Sequence, residues 1–122
     1  MKVIMKDPAY KKLDHSTKRC IDLGIKKLQQ RIDSYLNQSQ QINQVFNDDT
    51  LIHDIICGFY VYKCRANNNQ LRLLYTMNNN KLIIISHFIK KTDEANHNQA
   101  YIPHFKKVCE TLTQKGNIYV NR

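Results

Sequence analysis

Residues 59–88 read FYVYKCRANNNQLRLLYTMNNNKLIIISHF, a series of three apolar runs separated by two clusters of asparagine. Aromatic and β-branched residues fill the runs, as is typical of β-strands. Asparagine adopts left-handed backbone angles more readily than most residues, so each cluster predicts a hairpin turn. The third run is apolar at consecutive positions, which favours a central strand covered on both faces. We therefore expect a three-stranded antiparallel meander formed by residues 59–65, 71–77 and 81–88.

The sequence on either side of this meander has the periodicity of helices. Apolar residues recur every three or four positions in residues 16–36, with Asp14 or Ser16 placed to cap the start. Residues 37–49 lack such a pattern, and we expect a connection there, with a short second helix, that continues into residues 51–56. A closing helix has Pro103 near its first turn and Gly116 just past its end. Its apolar face consists of Phe105, Val108, Cys109 and Leu112.

Together these elements predict a single α+β domain that spans residues 1–122. The expected architecture is a small antiparallel sheet, made of the meander and a further strand that the N-terminal residues could add. Two N-terminal helices pack against this sheet, and a C-terminal helix follows. A chain of this length can bury enough apolar surface to fold without disulfides.

The charge balance is strongly basic, with 19 Lys and Arg against 10 Asp and Glu and a formal net charge of +9. Such an excess favours a polyanionic partner. The four cysteines lie far apart and no pair forms a CxxC motif, so we expect reduced thiols. No apolar run is long enough to cross a bilayer and the first residues do not resemble a secretory signal, so we expect a cytoplasmic protein without membrane contact.

The sequence lacks the motifs of several enzyme classes. Its 3 glycines are scattered and form no glycine-rich phosphate loop, and no GxSxG, HExxH or paired Cys and His zinc pattern occurs. The carboxylate pairs, Asp48 with Asp49 and Asp93 with Glu94, lie in polar loops and are more typical of solvated turns than of a glycosidase or two-metal site. We therefore expect neither a metal nor another cofactor.

Positively charged residues interrupt the apolar pattern of the strands. Lys63 and Arg65 alternate with Tyr62 and Cys64, which places both cations on one face of the first strand. Arg72 stands within the apolar string LRLLY, where an unpaired charge would be costly. Such an arginine is expected either to face an anion or to form a structural ion pair, with Asp54 or Glu110 as the partner.

Further basic groups occur in the third strand and directly after it. His87 lies within this strand, and Lys90 and Lys91 follow it at once. One possibility is that these residues join the cations of the first two strands. The alternative is that His87 has its hydrogen bonds met within the strand region and that Lys90 and Lys91 form a solvated turn. Basic groups that converge on one face of a small sheet predict a site for a phosphate-rich ligand.

Three strings carry a resemblance to a known family: GFYVYKCR at residues 58–65, LRLLY at 71–75 and KLIIISHFIKKT at 81–92. In this order they resemble the RelE/ParE toxin superfamily of bacterial and phage toxin–antitoxin modules, and most of all its HigB and phage-derived branch. The resemblance implies a type II toxin that enters the ribosomal A site and cleaves mRNA without a metal. Translation would be inhibited by in-line attack of a ribose 2′-hydroxyl on the neighbouring phosphate.

The resemblance also implies roles for individual residues. Lys63 matches the basic residue of the first strand, Arg72 the arginine that clamps the scissile phosphate, and Lys91 the cation that stabilises the transition state. His97 or Tyr101 would act as acid or base, or stack on a nucleobase. Val61 stands where some relatives carry a carboxylate or lysine, so a general base must come from elsewhere. The expected RNA-binding residues are Arg65, Lys90 and His87.

Two other functions fit the same sequence. ParE-like relatives keep the fold but inhibit DNA gyrase or another replication protein without cleaving anything, so fold alone does not decide function. A plain RNA- or DNA-binding module would also use a basic face. For either kind of toxin we expect a cognate antitoxin protein and a toxin–antitoxin hetero-oligomer.

Overall fold

The computed structural model describes residues 1–37, 51–91 and 99–114. A single turn of 3-10 helix at Tyr10–Lys12 precedes the first long helix. The helices and strands, in chain order, are β1 (Lys2–Met5), α1 (His15–Asn37), β2 (Asp54–Ile56), β3 (Phe59–Ala66), β4 (Asn69–Asn78), β5 (Lys81–Lys91) and α2 (Tyr101–Gln114).

The strands form one five-stranded sheet in the order β1-β5-β4-β3-β2. Neighbours from β2 to β5 are antiparallel, as the meander predicts. β1 pairs in parallel with the first half of β5, from Lys2 opposite Lys81 to Met5 opposite Ile84. The expectation of a purely antiparallel sheet is therefore wrong. The connection from β1 to the hairpins contains α1 and is long enough for β5 to return beside β1 in the same direction.

The asparagine clusters form the two hairpin turns that the sequence predicts. Asn67 and Asn68 have φ angles of 51° and 64°, and Asn79 and Asn80 have 50° and 62°. Two successive residues with positive φ form the tight turn whose twist suits a hairpin. A third two-residue turn joins β2 to β3 through Cys57 and Gly58, with φ angles of 53° and 81°.

This third hairpin corrects the interpretation of residues 51–56. The sequence pattern predicts the continuation of a helical connection, whereas Asp54–Ile56 is an edge strand paired with β3. The periodicity of a short apolar run does not distinguish a strand from a helix. Here the tight turn at Cys57 and Gly58 brings these residues back alongside β3 as a strand. The second N-terminal helix expected before it falls on residues 38–50, which lie outside the described part of the chain.

The two helices cover opposite faces of the sheet. The apolar stripe of α1, which includes Ile21, Leu28 and Ile32, packs on one face against buried strand residues such as Leu71 and Tyr75. On the other face α2 packs through buried residues of its own; this second core comprises Ile56, Phe59, Val61, Leu74, Ile83, Ile85, Tyr101, Phe105 and Cys109. The domain is thus a three-layer α+β structure, and β5 is covered on both faces as its sequence predicts.

Local signals place the helix ends. The Asp14 carboxylate accepts a hydrogen bond of 2.7 Å from the backbone N–H of Thr17, which caps the start of α1. Pro103 lies in the first turn of α2, where its missing N–H costs no helical hydrogen bond. No helix within the described residues is long and apolar enough to span a membrane.

Candidate functional site

Four cationic side chains lie on the α2 side of the sheet, in two adjacent cross-strand rows. In the first row Lys63 on β3 lies opposite Arg72 on β4, and in the second Arg65 lies opposite Gln70, which lies opposite Lys90 on β5. Neighbouring strands are about 5 Å apart, and the two rows are about 7 Å apart along the strands. The sheet therefore brings the predicted cations Lys63, Arg65, Arg72 and Lys90 together on one face.

A β-bulge determines which residues of β5 join this face. The pairing of β4 with β5 shifts between Leu74, opposite Ser86, and Tyr75, opposite Ile84. The extra residue, Ile85, reverses the alternation of side chains that follow it. Phe88 and Lys90 consequently lie in the rows of Arg72 and Gln70.

Arg72 is the centre of the arrangement. Its side chain is only 5% exposed, and its Nε is buried without a hydrogen-bond partner. Nη1 donates to the carbonyl of Leu71 at 3.3 Å and Nη2 to Oε1 of Gln70 at 3.4 Å. Among the described residues no carboxylate forms an ion pair with this guanidinium, so the alternative of a structural pair with Asp54 or Glu110 is not realised.

A buried guanidinium with no carboxylate partner among the described residues makes this part of the sheet electrostatically unusual. Burial lowers the pKa of Arg72, against smaller opposing effects of Tyr101 and Cys64, but arginine stays protonated at any physiological pH. Burying such a charge without a counter-charge is costly, and an anion that entered the site would offset that cost. The planar fork of arginine suits the paired oxygens of a phosphate.

Tyr101 begins α2 and closes one side of the site. The centroid of its ring lies 5.8 Å from Cζ of Arg72, and its hydroxyl donates a hydrogen bond of 3.0 Å to Oδ2 of Asp54. Burial and this hydrogen bond raise the pKa of Tyr101 to about 12. The phenol is therefore protonated at neutral pH, which suits it to orienting Asp54 and stacking on Arg72 rather than to accepting a proton.

His53 is a site residue that the sequence analysis did not single out. Its backbone N–H donates to the carbonyl of Val61 at 2.8 Å, which fixes the residue just before β2. The residue is exposed as a whole, and its ring lies 6.0 Å from that of Tyr101. Burial of part of the ring, together with the charges of Lys63 and Arg72, lowers the pKa of His53. At neutral pH this imidazole is neutral and can accept a proton.

The structure places His87 away from this cluster. It lies opposite Leu73, whose side chain packs in the core beneath α1, and its Nδ1 is 2.5 Å from Oδ2 of Asp7. Asp7 is itself buried. The backbone of Lys91 pairs with Asn69 at the end of β5, but the side chain of Lys91 and all of His97 lie outside the described residues.

The site can thus bind an anion and accept a proton next to it. Comparisons of this chain with models of known protein families, with curated proteins and with solved structures found no match.

Proposed function

We propose that this protein is the toxin of a type II toxin–antitoxin system and acts as a metal-independent, ribosome-dependent mRNA endoribonuclease of the RelE/ParE kind. The observation that carries the proposal is Arg72, a residue that is 5% exposed and whose guanidinium has no carboxylate partner among the described residues. A structural arginine at this depth would be neutralised by the protein itself. Here a bound phosphate would supply the missing negative charge.

The surrounding residues support an RNA backbone as the ligand. Lys63 and Arg65, both exposed, extend the positive potential over two rows of the sheet, so that phosphates next to the one held by Arg72 would also find cations. The formal net charge of +9 would draw the protein to the ribosome and its mRNA.

The chemistry follows from these positions. Neutral His53 takes the proton of a ribose 2′-hydroxyl, and the oxygen attacks the adjacent phosphorus. Arg72 and Lys63 stabilise the extra negative charge on the phosphate oxygens in the transition state. The bond to the 5′-oxygen breaks, that oxygen takes a proton from water, and the products are a 2′,3′-cyclic phosphate and a 5′-hydroxyl. The sequence-based role of Lys91 is the same charge stabilisation, and that of His97 is to act as acid or base or to stack on a nucleobase.

The proposal implies a cytoplasmic protein whose partners are the ribosome with its mRNA and a cognate antitoxin, held in a toxin–antitoxin hetero-oligomer. An acidic antitoxin segment laid over Lys63 and Arg65, both exposed, would block access of RNA to Arg72.

A pulsed-expression experiment tests this function. We expect the wild-type chain to stop translation and to generate new mRNA 5′ ends within minutes. The Arg72→Ala variant should lose both effects, while Arg19→Ala, an exposed arginine on α1, should keep them. Full toxicity of Arg72→Ala would contradict the proposal. Intact mRNA with altered DNA supercoiling would instead support a gyrase inhibitor.

A further inference from the structure

A groove of about 650 Å³ runs along the outer edge of β5, beyond the point where β1 ends. β1 pairs with β5 only as far as Ile84, although β5 continues to Lys91. Among the described residues no strand pairs with this edge from Ile85 to Ile89, and both of these residues line the groove. Backbone N–H and C=O groups of this stretch are therefore open to another strand.

Both helical layers contribute an apolar wall to the groove. Pro8 and Leu13 line it from the α1 side, and Val108 and Leu112 line it from the α2 side. Successive side chains of a strand point to opposite faces of a sheet. A strand added beside β5 would therefore direct its side chains alternately against one wall and the other, and both walls require apolar residues.

The chain has such a segment directly after α2. Residues 115–122 read KGNIYVNR and lie outside the described part of the chain. Ile118, Tyr119 and Val120 are residue types that favour strands, and asparagines flank them. Gly116 and Asn117 precede them, which is typical of the break after a helix.

The position of α2 brings this segment to the groove. Leu112 lines the groove, and α2 ends two residues later at Gln114. From Gln114 to Ile118 an extended chain spans about 13 Å, enough to turn back towards β5. Because the segment is tethered, its effective concentration at the groove is on the order of millimolar.

We propose that residues 117–121 dock in this groove as a sixth strand beside residues 85–89, with Tyr119 against one wall and Ile118 and Val120 against the other. The added strand satisfies the open edge of β5 and removes the apolar walls from water. The docked strand would lie beside β5, on the side away from β4 and β3. This proposal does not depend on the proposed ribonuclease function.

Hydrogen exchange in the full chain tests this docking. In the wild type, amides of residues 85–89 that face the outer edge should exchange slowly. In Tyr119→Asp they should exchange about tenfold faster or more, because a buried carboxylate would expel the strand. The matched variant Asn121→Asp adds the same charge at the end of the segment and should leave exchange within about twofold of the wild type.

Two results would overturn the proposal. One is equal exchange of these amides in the wild type and in Tyr119→Asp, since the segment would then protect nothing. The other is protection that rises with protein concentration together with the mass of a dimer, since a second copy would then occupy the groove. Amides of residues 71–75, in the middle of the sheet, report whether each variant is folded.

Discussion

Lys63 and Arg72 lie directly opposite each other on β3 and β4, so that two cations form one cross-strand pair on the α2 side of the sheet. Side chains in such a pair are about 5 Å apart at Cβ, and like charges there destabilise the sheet. Arg72 is buried as well, which adds the cost of removing its charge from water. We therefore expect this sheet to be more stable without the pair.

The first prediction separates stability from activity at Arg72. Replacing Arg72 with Met keeps most of the buried volume and removes a charge that has no carboxylate partner among the described residues, so we expect the free energy of unfolding to rise by about 1 kcal/mol. Ribosome-dependent mRNA cleavage should fall to background. Urea denaturation and primer extension measure the two effects. Arg19→Met on the exposed side of α1 should change neither, and a marked loss of stability in Arg72→Met would show that the arginine is structural.

The second prediction concerns the pH dependence of cleavage. A base works only when it is deprotonated, and the pKa of His53 is lowered by burial and by the charges of Lys63 and Arg72. Cleavage should therefore stay constant from neutral pH down to below the usual pKa of histidine, about 6.5, and fall only in more acidic solution. In His53→Gln we expect kcat to drop about 100-fold or more and the acidic fall to disappear.

The control for this experiment is His15→Gln. His15 is exposed at the start of α1 and belongs to the opposite layer from the site. This variant should reproduce the wild-type pH profile. If His53→Gln kept both the rate and the acidic fall, the base would be a different group, and His97 is the candidate that the sequence offers.

The third prediction distinguishes the hydroxyl of Tyr101 from its ring. With a pKa of about 12 the phenol does not ionise in the working range, so Tyr101→Phe should keep cleavage within about tenfold of the wild type. It loses the hydrogen bond to Asp54, which should cost about 1 kcal/mol of stability. Tyr101→Ala also removes the ring beside Arg72 and should reduce cleavage much further. Complete inactivity of a folded Tyr101→Phe would assign the hydroxyl a chemical role.

Much of this site follows from rules of alternation that are visible in the sequence. Lys63 and Arg65 share a face because they are two residues apart in a strand, and the two-residue turn at Asn67 and Asn68 fixes the register that sets Arg72 opposite Lys63. The preference of asparagine for positive φ made that turn predictable. These local rules were sufficient for β3, β4 and the cations that they carry.

The rest depends on interactions that only the folded chain contains. Continued alternation from Ile85 would put His87 on the α2 side, but the bulge at Ile85 turns His87 to the other side, where it meets Asp7. No residue type in KLIIISHF marks that bulge. His53 was not recognised because β2, which positions it, is a short strand that exists only by pairing with β3.

The fourth prediction tests the contact between α1 and the sheet. A Cβ placed on Gly24 would lie 2.2 Å from Cδ2 of Leu71 and 3.4 Å from Sγ of Cys64. Leu71 is fully buried, so it has little room to move away. Gly24→Ala gains up to about 1 kcal/mol of helix propensity, but overpacking of this kind costs about 1–3 kcal/mol. We expect a net loss of about 1 kcal/mol in urea denaturation.

Two further variants identify the cause of that loss. Ser34→Ala, on the exposed side of α1, gains propensity without a clash and should be slightly stabilised. Leu71→Val makes room for the new methyl group, so the double variant with Gly24→Ala should lose less stability than the sum of the two single variants. Strictly additive losses would mean that the methyl group meets something other than Leu71. A net gain in stability in Gly24→Ala would mean that α1 and the sheet are less closely packed than the 2.2 Å approach to Leu71 indicates.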